Sequence, residues 1–184
     1  MDDLYFIAVL PTFDLSREIN EIRKACATEH CVYSALKPPV HITLIAPFKL
    51  HAMNERKLIK SLKSACSFEP FVQKLKNFDG FPEHTVYINA IKNDGISAVH
   101  KKIKRALKPF GEVIKGGSLS PHITIAYRDA KEAYPQIMEQ YQSRHFNAEF
   151  IVDHFTLLKH DGKRWNIHSE YFAQPDEGQL EIFL

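Results

Sequence analysis

The chain of 184 residues has little of what most readily betrays a function. It carries only three cysteines, Cys26, Cys31 and Cys66, an odd number with no CxxC pair. A disulfide framework is thereby excluded, and a reducing, cytoplasmic setting is expected. No apolar run approaches the roughly 18 residues of a membrane-spanning helix, and Met1-Asp2-Asp3 is acidic where a signal peptide is basic. Neither a membrane anchor nor export is expected. P-loop, GxGxxG and GxSxG signatures are missing, so Ser118 and Ser120 have no elbow that would make either a nucleophile. His30, Cys31 and His51 lack metal-ligand spacing, and no metal or cofactor is called for. A net charge of +2 is too small for bulk nucleic-acid binding. Lys101, Lys102, Lys104, Arg105 and Lys108 crowd one segment, which reads first as the solvated face of an amphipathic helix and second as a phosphate-contact patch.

What the chain does have is a repeated phrase. His41-Ile42-Thr43-Leu44-Ile45-Ala46 and His122-Ile123-Thr124-Ile125-Ala126 each follow a proline-marked approach, Pro38-Pro39-Val40 and Ser120-Pro121. In a strand, side chains alternate faces, so each copy presents one imidazole and one hydroxyl about 7 Å apart on one side and apolar residues on the other. Chance placement of the histidines and threonines predicts about 0.3 His-x-Thr occurrences, and the chain has three. The third, His154-Phe155-Thr156, lacks the preceding proline and reads as a structural strand. His84, His100, His145, His160 and His168 read as surface or packing residues.

Periodicity and punctuation predict strands over 4–10, 41–46, 71–77, 85–91, 122–127, 146–152, 155–159 and 164–172, and helices over 15–26, 54–66, 96–108 and 131–142. Asp14, Asn54, Asp94 and Asp129 are the candidate N-caps, and Pro135 sits awkwardly inside the last helix. The segments 26–39 and 110–121 read as loops. The two His motifs lie 81 residues apart, and the same shift lays Leu15, Ile22 and Cys26 on Ile96, Ile103 and Leu107, and Arg23-Lys24-Ala25 on Lys104-Arg105-Ala106. An internal duplication, with repeats of about 4–77 and 85–158, would set the two motifs face to face across one cleft. The expected fold is a single α+β domain over 1–184, bilobed and pseudo-two-fold, with two mostly antiparallel sheets flanking a central cleft and helices outside.

Two histidines titrating near neutrality can hold opposite protonation states, one taking a proton from water and the other protonating a leaving oxygen. Threonine hydroxyls beside them can hold the non-bridging oxygens of a phosphate. The candidate catalytic residues are His41 and His122, and the candidate phosphate-binding residues are Thr43 and Thr124. Phe48 and Tyr127, close after the motifs, could stack on a base, and Lys115 and Arg128 could supply positive charge.

The paired motifs, with HITLIAPF at His41, FDGFPEHTVYINAI at Phe78 and SPHITIAY at Ser120, resemble the 2H phosphoesterase superfamily, the group of 2′,5′ RNA ligase-like proteins and cyclic phosphodiesterases. The resemblance implies a bilobed fold, metal-independent chemistry at His41, Thr43, His122 and Thr124, and substrates such as RNA ends or nucleotides carrying a 2′,3′-cyclic phosphate. It leans toward His122 activating water and His41 protonating the leaving oxygen, a division that the residues alone leave open. Many RNA-acting members place an arginine where this chain has Thr85, which weakens the expectation of a long RNA backbone. The expected activity is a cytoplasmic cyclic phosphodiesterase acting as a monomer. The alternatives are 2′–5′ RNA ligation and a non-catalytic module that binds a nucleotide or RNA terminus.

Overall fold

A computed structural model describes residues 1–113 and 118–174. The chain forms strands β1 (Asp2–Val9), β2 (Ile42–His51), β3 (Phe71–Phe81), β4 (Thr85–Ala90), β5 (His122–Tyr127), β6 (Asn147–Val152), β7 (His154–His160) and β8 (Trp165–Phe172). Helices α1 (Phe13–His30), α2 (Glu55–Leu62), α3 (Asp94–Leu107) and α4 (Tyr134–Tyr141) cover them. The strands make two four-stranded sheets in the orders β2-β1-β7-β8 and β5-β4-β3-β6, with every pairing antiparallel. The expected α+β architecture of two antiparallel sheets with helices outside is what forms.

The two sheet orders correspond place by place, but the repeats do not each build their own lobe. Strand β3 of the first half is the third strand of the second sheet, and β7 of the second half is the third strand of the first. The halves therefore exchange equivalent strands. Each His-bearing strand also carries a bulge at the same place. Thr43 pairs with Ala8 and Ile45 with Ile7, which leaves Leu44 as the extra residue. Thr124 pairs with Tyr87 and Ala126 with Val86, which leaves Ile125. Bulges re-aim the side chains that follow them, and these two re-aim them at the site.

Local details depart from the sequence reading for identifiable reasons. Helix α1 runs on to His30, past the expected end at Cys26, because nothing breaks it before Cys31 adopts the left-handed conformation at φ 56°. Asp14 lies in the first turn of that helix and caps nothing. Asn93, not Asp94, caps α3, its Oδ1 accepting from Ile96 N at 2.9 Å, an interaction worth about 1 kcal/mol. Asn54 precedes α2 without a side-chain bond to it, and α2 ends at Leu62 before a 3-10 turn over Lys63–Ala65. Helix α4 starts only at Tyr134, which puts Pro135 in the first turn where its missing N–H costs nothing. Pro47 is tolerated inside β2 because that strand is an edge. A 3-10 segment, Lys108–Val113, occupies part of the expected second loop.

One large apolar cluster joins α1, α3 and α4 to both sheets. A second, small cluster of Phe6, Ala8 and Leu158, with Leu10 and Trp165 against it, lies on the other face of the first sheet. That face is one wall of the cleft.

Candidate active site

Strands β2 and β5 are edge strands of their own sheets and approach one another. Along each, alternation buries Ile42 and Leu44, or Ile123 and Ile125, and leaves the histidine and threonine half-buried on the opposite face. His41, Thr43, His122 and Thr124 all line one cleft of about 810 Å³. Thr156 of the third His-x-Thr is fully buried in β7, and His154 pairs with Asp153 at 2.6 Å, the structural strand expected.

The two imidazoles are held in the same way. His41 Nδ1 lies 2.7 Å from the carbonyl oxygen of Pro39, and His122 Nδ1 lies 2.8 Å from that of Ser120. A carbonyl can only accept, so both rings carry their proton on Nδ1 and leave Nε2 for a ligand. This is what the proline-marked approaches do: they turn a backbone carbonyl under the ring two residues later. Aromatic neighbours confine the rings further, Phe6 at 4.9 Å from His41, and Tyr87 at 5.0 Å and Phe81 at 5.3 Å from His122. Neither threonine hydroxyl is engaged by another described residue, so both are open to an oxyanion.

The walls are aromatic and basic. On the first-sheet side stand Phe6, His160, Lys163 and Trp165, with the Trp165 ring 4.6 Å from Phe6 and 5.0 Å from His160. On the second-sheet side stand Phe81, His84, Tyr127 and Arg128, with the Arg128 guanidinium 5.2 Å from the Tyr127 ring. Lys37 and Arg23 complete the basic lining, and no aspartate or glutamate belongs to it among the described residues. Several positive groups without a carboxylate make the cleft a receptor for anions.

Burial holds the His41 imidazolium down to a pKa of about 4, and the charges of Arg23 and His122 push the same way against the Pro39 hydrogen bond. Burial also lowers His122, opposed by its bond to Ser120. Both rings are therefore neutral in the empty cleft at pH 7.

Of the other sequence candidates, Tyr127 and Arg128 line the cleft. The bulge at Ile125 is what turns Tyr127 onto the His face, and Arg128 follows at φ 61°. Phe48 does not: it is buried beside Tyr5, the ring centroids 6.0 Å apart, on the core side of β2. After the bulge at Leu44, a second register shift between the pairs Ile7–Ile45 and Tyr5–Phe48 returns Phe48 to the core face, where a base cannot reach it. Lys115 lies outside the described residues. Asp129, expected to cap α4, instead accepts hydrogen bonds from Tyr33 N at 2.8 Å and Ser34 N at 3.0 Å. It thus ties the turn after one motif to the loop before the other.

Sequence reasoning missed Phe6, Arg23, Lys37, Phe81, His160, Lys163 and Trp165, and took His84 and His160 for surface or packing residues. Only Arg23 left a signal: it stands four residues after Ile19 and three before Cys26, inside the buried stripe of α1, where a charge is out of place.

The sequence model of the 2′-5′ RNA ligase superfamily matches residues 11–164. Among curated relatives, a Bacillus pumilus protein provisionally named as a phosphoesterase is 24% identical over 95% of this chain and 99% of its own. A similarly named Shouchella clausii protein is 27% identical over 94% and 99%. Among solved structures, Escherichia coli LigT complexed with 3′-AMP superposes with a TM-score of 0.67 at 21% identity, covering 95% of this chain and 99% of LigT. TT0787 of Thermus thermophilus gives 0.66 at 18%, covering 94% and 99%. A match across most of its length, together with the shared fold, shows that the chain belongs to the 2′-5′ RNA ligase superfamily, the 2H phosphoesterases.

Proposed function

We propose that the cleft hydrolyses 2′,3′-cyclic phosphates on RNA ends or nucleotides. The observation that carries the reading is the matched anchoring of His41 and His122 beside two threonine hydroxyls, with both Nε2 atoms free and no carboxylate in the cleft among the described residues. One neutral imidazole takes a proton from water as the water oxygen bonds to phosphorus. The bond from phosphorus to one ribose oxygen breaks, and the imidazolium on the other side gives that oxygen its proton. A phosphomonoester with a free neighbouring hydroxyl results, and the two histidines have exchanged protonation states, which solvent resets. Binding of the anion raises the affinity of both rings for a proton, so a ring that is neutral in the empty cleft becomes able to act as an acid. Thr43 and Thr124 donate to the non-bridging oxygens and hold phosphorus between the two rings.

Ligands of a structural neighbour point the same way: LigT has been crystallised with 3′-AMP and with phosphate. The aromatic residues on both walls offer faces on which a base can stack. The cytoplasm and a monomeric enzyme remain our proposal for its setting and state.

The test is a panel of 2′,3′-cyclic nucleotides and short cyclic-phosphate RNAs incubated with the protein in EDTA, with products resolved as 2′- or 3′-phosphate. Turnover is expected. Tight binding without turnover would replace the enzyme with a binding module. A joined strand from cyclic-phosphate and 5′-hydroxyl RNA ends would make ligation the activity.

A further inference from the structure

Arg23 is 2% exposed, and its position is unusual for a cation. It sits in the apolar stripe of α1 with Leu15, Ile19 and Cys26, yet it reaches the lining of the cleft. Its Nη2 donates to the carbonyl of Pro38 at 3.0 Å and its Nη1 to Asn20 Oδ1 at 3.4 Å, while Nε has no partner. No carboxylate pairs with it among the described residues. Burial alone pulls its pKa down, to about 10, so it stays charged at neutral pH. A buried guanidinium without a carboxylate partner is costly to the fold.

What it touches is the approach to His41. The carbonyl that Arg23 holds belongs to Pro38, and the next carbonyl, of Pro39, receives Nδ1–H of His41. We propose that Arg23 is a positioning residue that dedicates His41 to the proton-accepting half of the reaction: it fixes the Pro38–Pro39 turn under the ring and sets a positive charge without a carboxylate partner at that turn. His122, anchored alike on Ser120, has no such cation acting on it among the described residues. The proposal rests on the phosphodiesterase reading for the nature of the reaction and inverts the division of labour suggested by the family resemblance. His122, free of that charge, takes the proton-donating half once the phosphate is bound.

Arg23 from α1 and His122 from β5 both act against a proton on His41. Lys37 from the preceding loop, Arg128 after β5, and His160 and Lys163 from the β7–β8 hairpin line the same cleft, and none of its lining groups is acidic among the described residues.

Ring-nitrogen NMR titration of the wild type, R23M and R23K tests this without substrate. In the wild type, both rings should show the Nδ1–H tautomer, and His41 should titrate below His122. In R23M, the His41 midpoint should rise by about one pH unit, with His122 moving much less, while R23K should stay near the wild type. The acid limb of kcat/KM should follow His41. Wild-type His41 titrating at or above His122 overturns the proposal, whatever the variants do. So does a folded R23M with an unmoved His41, or an R23K that behaves like R23M. If the titration order holds and no cyclic phosphate is hydrolysed, the function falls and the positioning stands.

Discussion

The half-site on β2 and the half-site on β5 share a hydrogen-bonding scheme and differ in what lies behind it. Each has a His-x-Thr, a bulge on the residue after the threonine and a carbonyl under the ring. The buried Arg23 holds the turn that leads into His41. The repeat partner of Arg23 is Lys104, on the exposed side of α3. Past the threonines, Ala46 and Tyr127 occupy equivalent places on the cleft, and Phe48 and Asp129 occupy equivalent places that have diverged into core and clamp. The 81-residue register offers two like histidines. The proposed hydrolysis asks one of them to accept a proton and the other to donate one, and the difference between them comes from residues that the motif does not contain.

The sharpest way to break the comparison is to remove each imidazole. His41→Ala and His122→Ala should each lower kcat for a cyclic nucleotide by about 10³-fold, within the usual span for a positioned acid or base. A nucleotide p-nitrophenyl diester, whose leaving group needs no proton, should separate them: His122→Ala recovers most of its loss there and His41→Ala does not. Equal recovery in both would show that the halves have no fixed roles.

The second test uses stability and needs no substrate. His41 titrates near 6.5 in the unfolded chain and near 4 in the fold. The unfolded chain therefore binds more protons between those values, and folding stability falls as pH drops through that window, then levels off below it. At about 1.36 kcal/mol per pH unit the loss approaches about 3 kcal/mol. His122 and His100, also held down by burial, add to it. Asp3 and Glu55, held low first of all by hydrogen bonds from Lys159, act only as pH falls further. Urea unfolding at pH 7 and pH 4.5 measures the drop, and His41→Gln should flatten it more than His122→Gln. A larger flattening by His122→Gln would reverse the assignment of the deeper ring.

How much of this was legible in the sequence follows from the reach of local rules. Alternation with period two put His41 beside Thr43 and His122 beside Thr124, and the 81-residue register paired the motifs; neither needs tertiary information. The bulges at Leu44 and Ile125 were invisible, because a bulge is a property of two paired strands, and Tyr127 reaches the cleft only through one of them. The exchange of β3 and β7 between the sheets was hidden for the same reason. His160 and Trp165 read as an ordinary hairpin, since nothing local says that the open face of the first sheet is a wall of the site. Arg23 alone could have been suspected, as a charge inside an apolar stripe.

The threonines carry a smaller share than the histidines. In the proposed mechanism each donates one hydrogen bond to a charged oxygen, worth about 1.5–3 kcal/mol, so Thr43→Val and Thr124→Val should each cost roughly 10- to 100-fold in kcat/KM. Because Val keeps the β-branched shape, circular dichroism and thermal melts should stay close to wild type. Equal losses would mean that both halves grip the phosphate alike and differ only in proton handling; unequal losses would extend the asymmetry to binding.

The smallest effect is expected at the seam between the halves. Asp129 leaves the second half and accepts from Tyr33 N and Ser34 N, at the head of the loop that ends in His41. No reciprocal bond is possible from the equivalent place in the first half, since Phe48 there is a buried hydrocarbon. The two amides lie at the surface, so water replaces the carboxylate in Asp129→Ala and the cost in stability should be only about 1 kcal/mol, a fall in Tm of about 2–4 °C. Asp129→Asn keeps one acceptor oxygen and should lose less. The informative reading is the cycle with the histidines. If the clamp acts by steadying the approach to His41, adding Asp129→Ala to His41→Ala should cost almost no further activity, whereas adding it to His122→Ala should cost its full single-variant factor. Additivity with both would leave Asp129 a brace of the fold and nothing more.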